Sequence, residues 1–210
     1  AKNVRVPVRG TDGHVLGVDS AETAGVKWAA ASGGGGSGGN WVLISATTIS
    51  GSPTTVDFTF SGSYRKYRLE LEDVQNSTAG YSLRAQTSTD GGSTFVNSSG
   101  AYGYGYGPIG TYGPVSTNGT YMELTPATPI GASGIGIWGE IDVYAPLVAT
   151  TRFHMRWSLF GRYWPSSPAA ANMVNGAGLR DSVDDVDTIR LFFATGSFSG
   201  GKIRLFGWTE

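Results

Sequence analysis

At 210 residues the chain has room for one substantial domain and an appendage, and a domain of that size buries enough apolar surface to fold without covalent staples. The absence of cysteine excludes disulfides, thiolate nucleophiles and Cys-based zinc sites, and only two histidines, His14 and His154, are left for other metal chemistry. A formal net charge of -1 with 15% charged residues gives no basic field to gather nucleic acid or an anionic surface, and no run approaches the roughly eighteen apolar residues of a membrane span.

Thirty-three glycines, 12% aromatics and abundant Ser and Thr describe an all-β protein with many tight turns. The N-terminus has no basic segment followed by an apolar run, so export by the usual signal is not expected; Ala1 fits the small residue left when an initiator Met is removed. Residues 1–32 differ in kind from the rest. Val4, Val6 and Val8 alternate with polar positions, Thr11-Asp12-Gly13 supplies turn chemistry, and residues 14–18, with Val15, Leu16 and Val18, form a second short extended run. Residues 19–22 are suited to cap a single helical turn that Gly25 ends. With Val26 and Trp28 these apolar groups are too few to bury a core alone, so they are expected to meet copies of themselves or another protein.

Residues 33–40 are a glycine-rich linker. From residue 41 to residue 210 the chain reads as a succession of short strands: 41–48, 54–60, 64–74, 81–87, 120–124, 136–144, 152–159, 172–179, 188–194 and 202–208. The clearest is 64–74, where Tyr67, Leu69 and Leu71 alternate with Lys66, Arg68, Glu70 and Glu72. About ten strands without a helix predict a jelly-roll-like, two-sheet antiparallel β-sandwich preceded by an extended N-terminal arm.

Motifs with chemical precedent are few. A Gly-x-Ser-x-Gly at Gly35, Ser37 and Gly39 lacks the strand and helix of a nucleophile elbow, and a Gly-x-Gly-x-x-Gly at Gly105, Gly107 and Gly110 meets Pro108 and Pro114 where a helix would have to begin. No catalytic group and no cofactor are expected. Asp181, Asp184, Asp185 and Asp187 offer hard oxygen ligands for calcium, although their spacing is not that of an EF-hand and a solvated turn before Thr188 is the ordinary explanation. Tyr102, Tyr104 and Tyr106 recur at period two and share one side if extended, and Tyr112, Tyr163 and Trp164 are placed to join them. Such a surface either stacks on sugar rings or packs against another subunit.

Residues 10–28, GTDGHVLGVDSAETAGVKW, resemble the "G-x-x-G-Q-V-L-x-x-D/N-S…G-x-x-W" unit of bacteriophage tail fibres and related virion appendages, with His14 in place of Gln. Looser similarity continues through residues 41–44, 64–71, 88–95 (the "Ser-x-Asp-Gly-Gly-x-Thr-Phe" turn) and 203–206, in the order phage appendage domains use. The resemblance implies a non-enzymatic virion structural protein of fibre or decoration type. Its arm, through Val4, Val6, Val8, Val15, Leu16, Val18, Val26 and Trp28, would trimerise and join capsid or tail proteins, and its β domain would face host-surface polysaccharide. One N-terminal unit and one domain suit a short head fibre, decoration protein or fibre tip better than a long shaft. A cement protein without ligand and a spike polysaccharide depolymerase are the alternatives.

Overall fold

The period-two alternation of residues 64–74 becomes the strand Lys66–Asn76, with Tyr67, Leu69, Leu71 and Val74 buried and Lys66, Arg68, Glu70 and Glu72 on the other side. This computed structural model describes residues 14–18, 26–30, 39–62, 64–78, 80–108, 115–126, 136–162 and 171–209. All the regular elements among them are strands: β1 His14–Val18, β2 Val26–Ala30, β3 Trp41–Thr48, β4 Thr55–Thr59, β5 Lys66–Asn76, β6 Leu83–Ser88, β7 Tyr102–Pro108, β8 Val115–Gly119, β9 Met122–Glu123, β10 Ile137–Tyr144, β11 His154–Arg162, β12 Ala171–Arg180, β13 Thr188–Phe193 and β14 Phe198–Trp208.

The chain divides after Gly39 into two compact units. In the first, β1 and β2 pair antiparallel, with Leu16 opposite Trp28 and Val18 opposite Val26. Among the described residues the partner of residues 14–18 is thus Val26–Ala30. Val4, Val6 and Val8 and the expected helical turn lie outside the described residues.

The second unit, Asn40–Thr209, is a jelly-roll-like antiparallel sandwich. An eight-stranded sheet, in the order β3-β14-β5-β10-β11-β12-β7-β8, covers a four-stranded sheet ordered β4-β13-β6-β9. Consecutive strands mostly alternate between the sheets, and only β7-β8 and β10-β11-β12 run as meanders. The inner faces meet in one core, to which the large sheet contributes Leu69, Ile141, Trp157 and Ile203 and the small sheet Phe58, Leu83, Ile189 and Leu191. Trp157 fits because β12 carries glycine at 176 and 178, where any Cβ would collide with or crowd its ring. The ends of the unit meet: Thr209 N donates to Asn40 O at 3.0 Å, Asn40 N donates to Thr209 Oγ1 at 3.1 Å, and Trp41 lies edge-on to Trp208 with ring centroids 5.1 Å apart.

Two of the large sheet's irregularities lie together, at Asp73 and Gly201. Between Ile137 and Gly139, β10 advances two residues while β5 advances three, a bulge that puts Asp73 at φ 52° and Gly139 at φ 131°. Beside it, β14 shifts register at Gly200 and turns through Gly201 at φ 105°.

Candidate functional site

The tyrosine run forms β7 and its side chains do lie on one side, but that side faces the interior. Tyr102 is fully buried: its hydroxyl accepts from Thr87 N at 2.9 Å and donates to Val96 O at 3.0 Å, tying β7 to the small sheet and to the loop at Val96. Burial raises its pKa above the ordinary tyrosine value despite the bonds with Thr87. Tyr102 is thereby removed from any ligand-binding surface and is a core residue. Changing it to phenylalanine is expected to cost about 1–2 kcal/mol in urea denaturation, because the Thr87 N–H loses its acceptor inside the core. Tyr104 and Tyr106 are half-buried with parallel rings 6.3 Å apart, and the Tyr106 hydroxyl donates to Glu123 Oε1 at 3.0 Å. Burial first, then the Glu123 charge, pushes the Tyr106 hydroxyl well above its usual pKa. Tyr112, Tyr163 and Trp164 lie outside the described residues.

The four aspartates do not converge. Asp181 pairs with Arg152 at 3.1 Å, Asp184 with Arg180 at 2.7 Å and with the Ser182 hydroxyl, and Asp185 is exposed. Asp187 Oδ2 accepts from Gly91 N at 2.9 Å and so braces the Ser88–Phe95 turn. In that turn Asp90 accepts from the Thr94 hydroxyl at 2.6 Å, from Ser88 Oγ at 2.7 Å and from Thr94 N at 2.8 Å. These bonds, Thr94 first, hold the exposed Asp90 carboxyl at about 2. Gly91 and Gly92 take the positive φ angles the turn needs. Among the described residues no three His, Asp or Glu side chains gather as a metal site.

The outer face of the large sheet carries the most distinctive surface. Trp138 of β10 lies opposite Phe160 of β11, and Phe160 lies opposite Met173 of β12. Trp138 is 40% exposed, Phe160 45% and Met173 40%, a row of large apolar side chains in open solvent. The β5 bulge and Gly139 at the start of β10 frame this row, and a depression of about 340 Å³ beside it is lined by Glu70, Glu140, Ser158 and the three apolar side chains. The next row along the strands is polar: Glu70, Glu140, Ser158 and Asn175 stand in register.

One row further, Arg68, Asp142 and Arg156 are in register, and Lys66 and Tyr144 follow. Asp142 is only 1% exposed although it faces outward, because cations cover it. Arg68 Nε donates to Oδ1 at 2.7 Å, Arg156 Nη2 to Oδ2 at 2.9 Å, and Lys66 Nζ stands 3.3 Å from Oδ2. Burial alone would raise the Asp142 carboxyl above its ordinary 3.8; the Arg68 and Arg156 hydrogen bonds, with the Arg68 and Lys66 charges, outweigh it and hold the group at about 2. Arg68 also pairs with Glu140 at 2.5 Å, and the Trp41 ring packs against Lys66 and Arg68 at 4.9 and 4.6 Å. A second depression, of about 330 Å³, opens beside Asp142, Arg156 and Asn175.

His154 of β11 is exposed, and its Nδ1 lies 2.6 Å from Arg152 O. The strip itself escaped the sequence reading. Its one visible signal was the charged half of the β5 alternation, since the pairing of Trp138 with Phe160 and Met173 depends on register. Comparison with known proteins adds no precedent for this arrangement: no family model, no curated protein and no solved structure matches the chain.

Proposed function

We propose that the chain is a non-enzymatic bacteriophage virion protein of fibre or decoration type, a homotrimer exposed on the particle. Residues 1–32 attach it to capsid or tail proteins, and its sandwich domain contacts host-surface glycan. The resemblance of residues 10–28 to the fibre unit supports the first half of this reading. The single observation that carries the second is the exposed Trp138-Phe160-Met173 row bordered by Glu70, Glu140, Ser158 and Asn175. Flat apolar faces take the hydrophobic face of a pyranose, and the neighbouring carboxylate, hydroxyl and amide groups hydrogen-bond its hydroxyls. Tyr104 and Tyr106, half-buried and turned inward, have no part in that contact.

Binding of fluorescent full-length protein to host cells, and to a panel of their surface polysaccharides, tests the reading. Trp138→Ala and Phe160→Ala are each expected to reduce binding tenfold or more without loss of folding, since both side chains are exposed. Unchanged binding by both variants would move the contact elsewhere. Light scattering on the eluting protein is expected to give three copies, and a stable monomer would remove the trimer.

The same row favours one other reading, a cement protein whose exposed apolar side chains are covered by a neighbouring virion protein. In that case the two variants lose incorporation into particles and bind no glycan. The depolymerase alternative gains less: Glu70 and Glu140 stand side by side on an open sheet, and each is engaged by an arginine, Arg204 and Arg68.

A further inference from the structure

We infer that the glycan bound on this face is acidic, a polysaccharide whose sugar carboxylates pair with Arg156 and Lys66 while a neighbouring ring stacks on Trp138 and Phe160; this rests on the glycan reading given above. Three cations, Lys66, Arg68 and Arg156, face two carboxylates, Asp142 and Glu140. Glu70 in the adjoining row shares Arg204 with Glu72; Asp142 is buried beneath the three cations and Glu140 is held by Arg68, so this cluster by itself keeps one positive charge. It resides at Arg156, whose side chain is 61% exposed against 23% for Arg68 and 27% for Lys66. Arg156 reaches Asp142 through Nε and Nη2, which leaves its Nη1 edge to meet a ligand oxygen. The fully covered Asp142 orients the guanidinium, so little side-chain freedom is lost when an anion arrives.

Spacing favours a polymer over a small anion. Arg156 and Phe160 are four residues apart on β11, as are Asp142 and Trp138 on β10, so the charged and aromatic rows lie about 13 Å apart along the strands. A chain of several sugars spans that interval, and a single acidic monosaccharide does not. Glu70, Glu140, Ser158 and Asn175 lie between the rows, where they meet the hydroxyls of the intervening sugars.

The test uses full-length protein and calorimetric titration with three acidic oligosaccharides, of galacturonate, hyaluronan and polysialic acid, each alongside its carboxyl-reduced neutral form. At least one acidic form is expected to bind ten or more times tighter than its neutral counterpart, with affinity falling several-fold between 50 mM and 500 mM salt. Arg156→Gln is expected to erase that preference. Arg190→Gln, which removes the same charge from the small sheet, is expected to keep it. Equal binding of acidic and neutral forms overturns the acidic assignment and leaves the glycan reading standing, and no binding to any of the six overturns both. A preference that survives Arg156→Gln in a variant of wild-type circular dichroism also overturns the assignment.

Discussion

Changing Gly139 to alanine is expected to lower the unfolding free energy by about 3 kcal/mol. Two costs coincide there. The backbone sits at φ 131°, which side chains of L-residues rarely adopt, and a Cβ would press well inside contact distance of the Ser158 carbonyl oxygen and onto Leu159 Cα. Neither neighbour has room to retreat, because β10 is held between β5 and β11 by ladders on both sides. Urea denaturation followed by tryptophan fluorescence measures the loss. Gly62→Ala, with nothing within 4 Å of the new methyl, is the control and should stay within about 0.5 kcal/mol of wild type. A Gly139→Ala loss as small as the control's would show that the bulge slides at little cost. The framing of the aromatic row by that bulge would then be incidental.

Asp142→Asn is expected to cost about 2 kcal/mol at pH 7 and to change how stability depends on acid. The carboxylate holds Lys66, Arg68 and Arg156 together; a neutral amide leaves three cations in mutual repulsion with Glu140 as their nearest counter-charge. The cost stays below that of breaking a deeply buried pair because the cations reach water and solvent screens them. The sign of the acid effect follows from the direction of the shift. A carboxyl lowered from 3.8 to about 2 in the folded state contributes stability that is complete above about pH 4 and disappears as pH falls through about 2. Wild type is therefore expected to lose on the order of 1–2 kcal/mol from this group between pH 4 and pH 2, and the variant to lack that part of the slope. Parallel acid profiles would mean that the cations are held by something other than Asp142.

Strand content was largely legible from residue 41 onward, because alternation in residues such as Tyr67, Arg68, Leu69 and Glu70 reports directly on which side chains meet the core. Glycine and proline hid the rest. Three of the seven residues of β7 are glycine, and β8 follows the Gly113-Pro114 pair, so neither showed the β-branched run that marks a strand. The same limit explains the tyrosines. Period two says that Tyr102, Tyr104 and Tyr106 share a face, but only the pairing of β7 with β12 and the contacts with Thr87 and Glu123 say that the face is the inner one. The candidate site was least legible of all. Trp138, Phe160 and Met173 come from three separate strands, and Asp142 looks in the sequence like any outward-facing carboxylate.

The pairing of Asn40 with Thr209 makes the sandwich a closed cassette. A chain that enters and leaves a domain at one point can be cut and rejoined, and a short bridge between those two residues would let new ends open at an exposed turn such as Ser50-Gly51-Ser52 without disturbing either sheet. The same geometry would let the whole unit be spliced into a surface loop of an unrelated scaffold, carrying its outer face with it. A pull on Asn40 has the opposite character: it loads the end of β3, which among the described residues is an edge strand bonded only to β14, and opens that ladder one hydrogen bond at a time. The sandwich is therefore easy to transplant and, under tension from its N-terminal side, built to unzip from one edge.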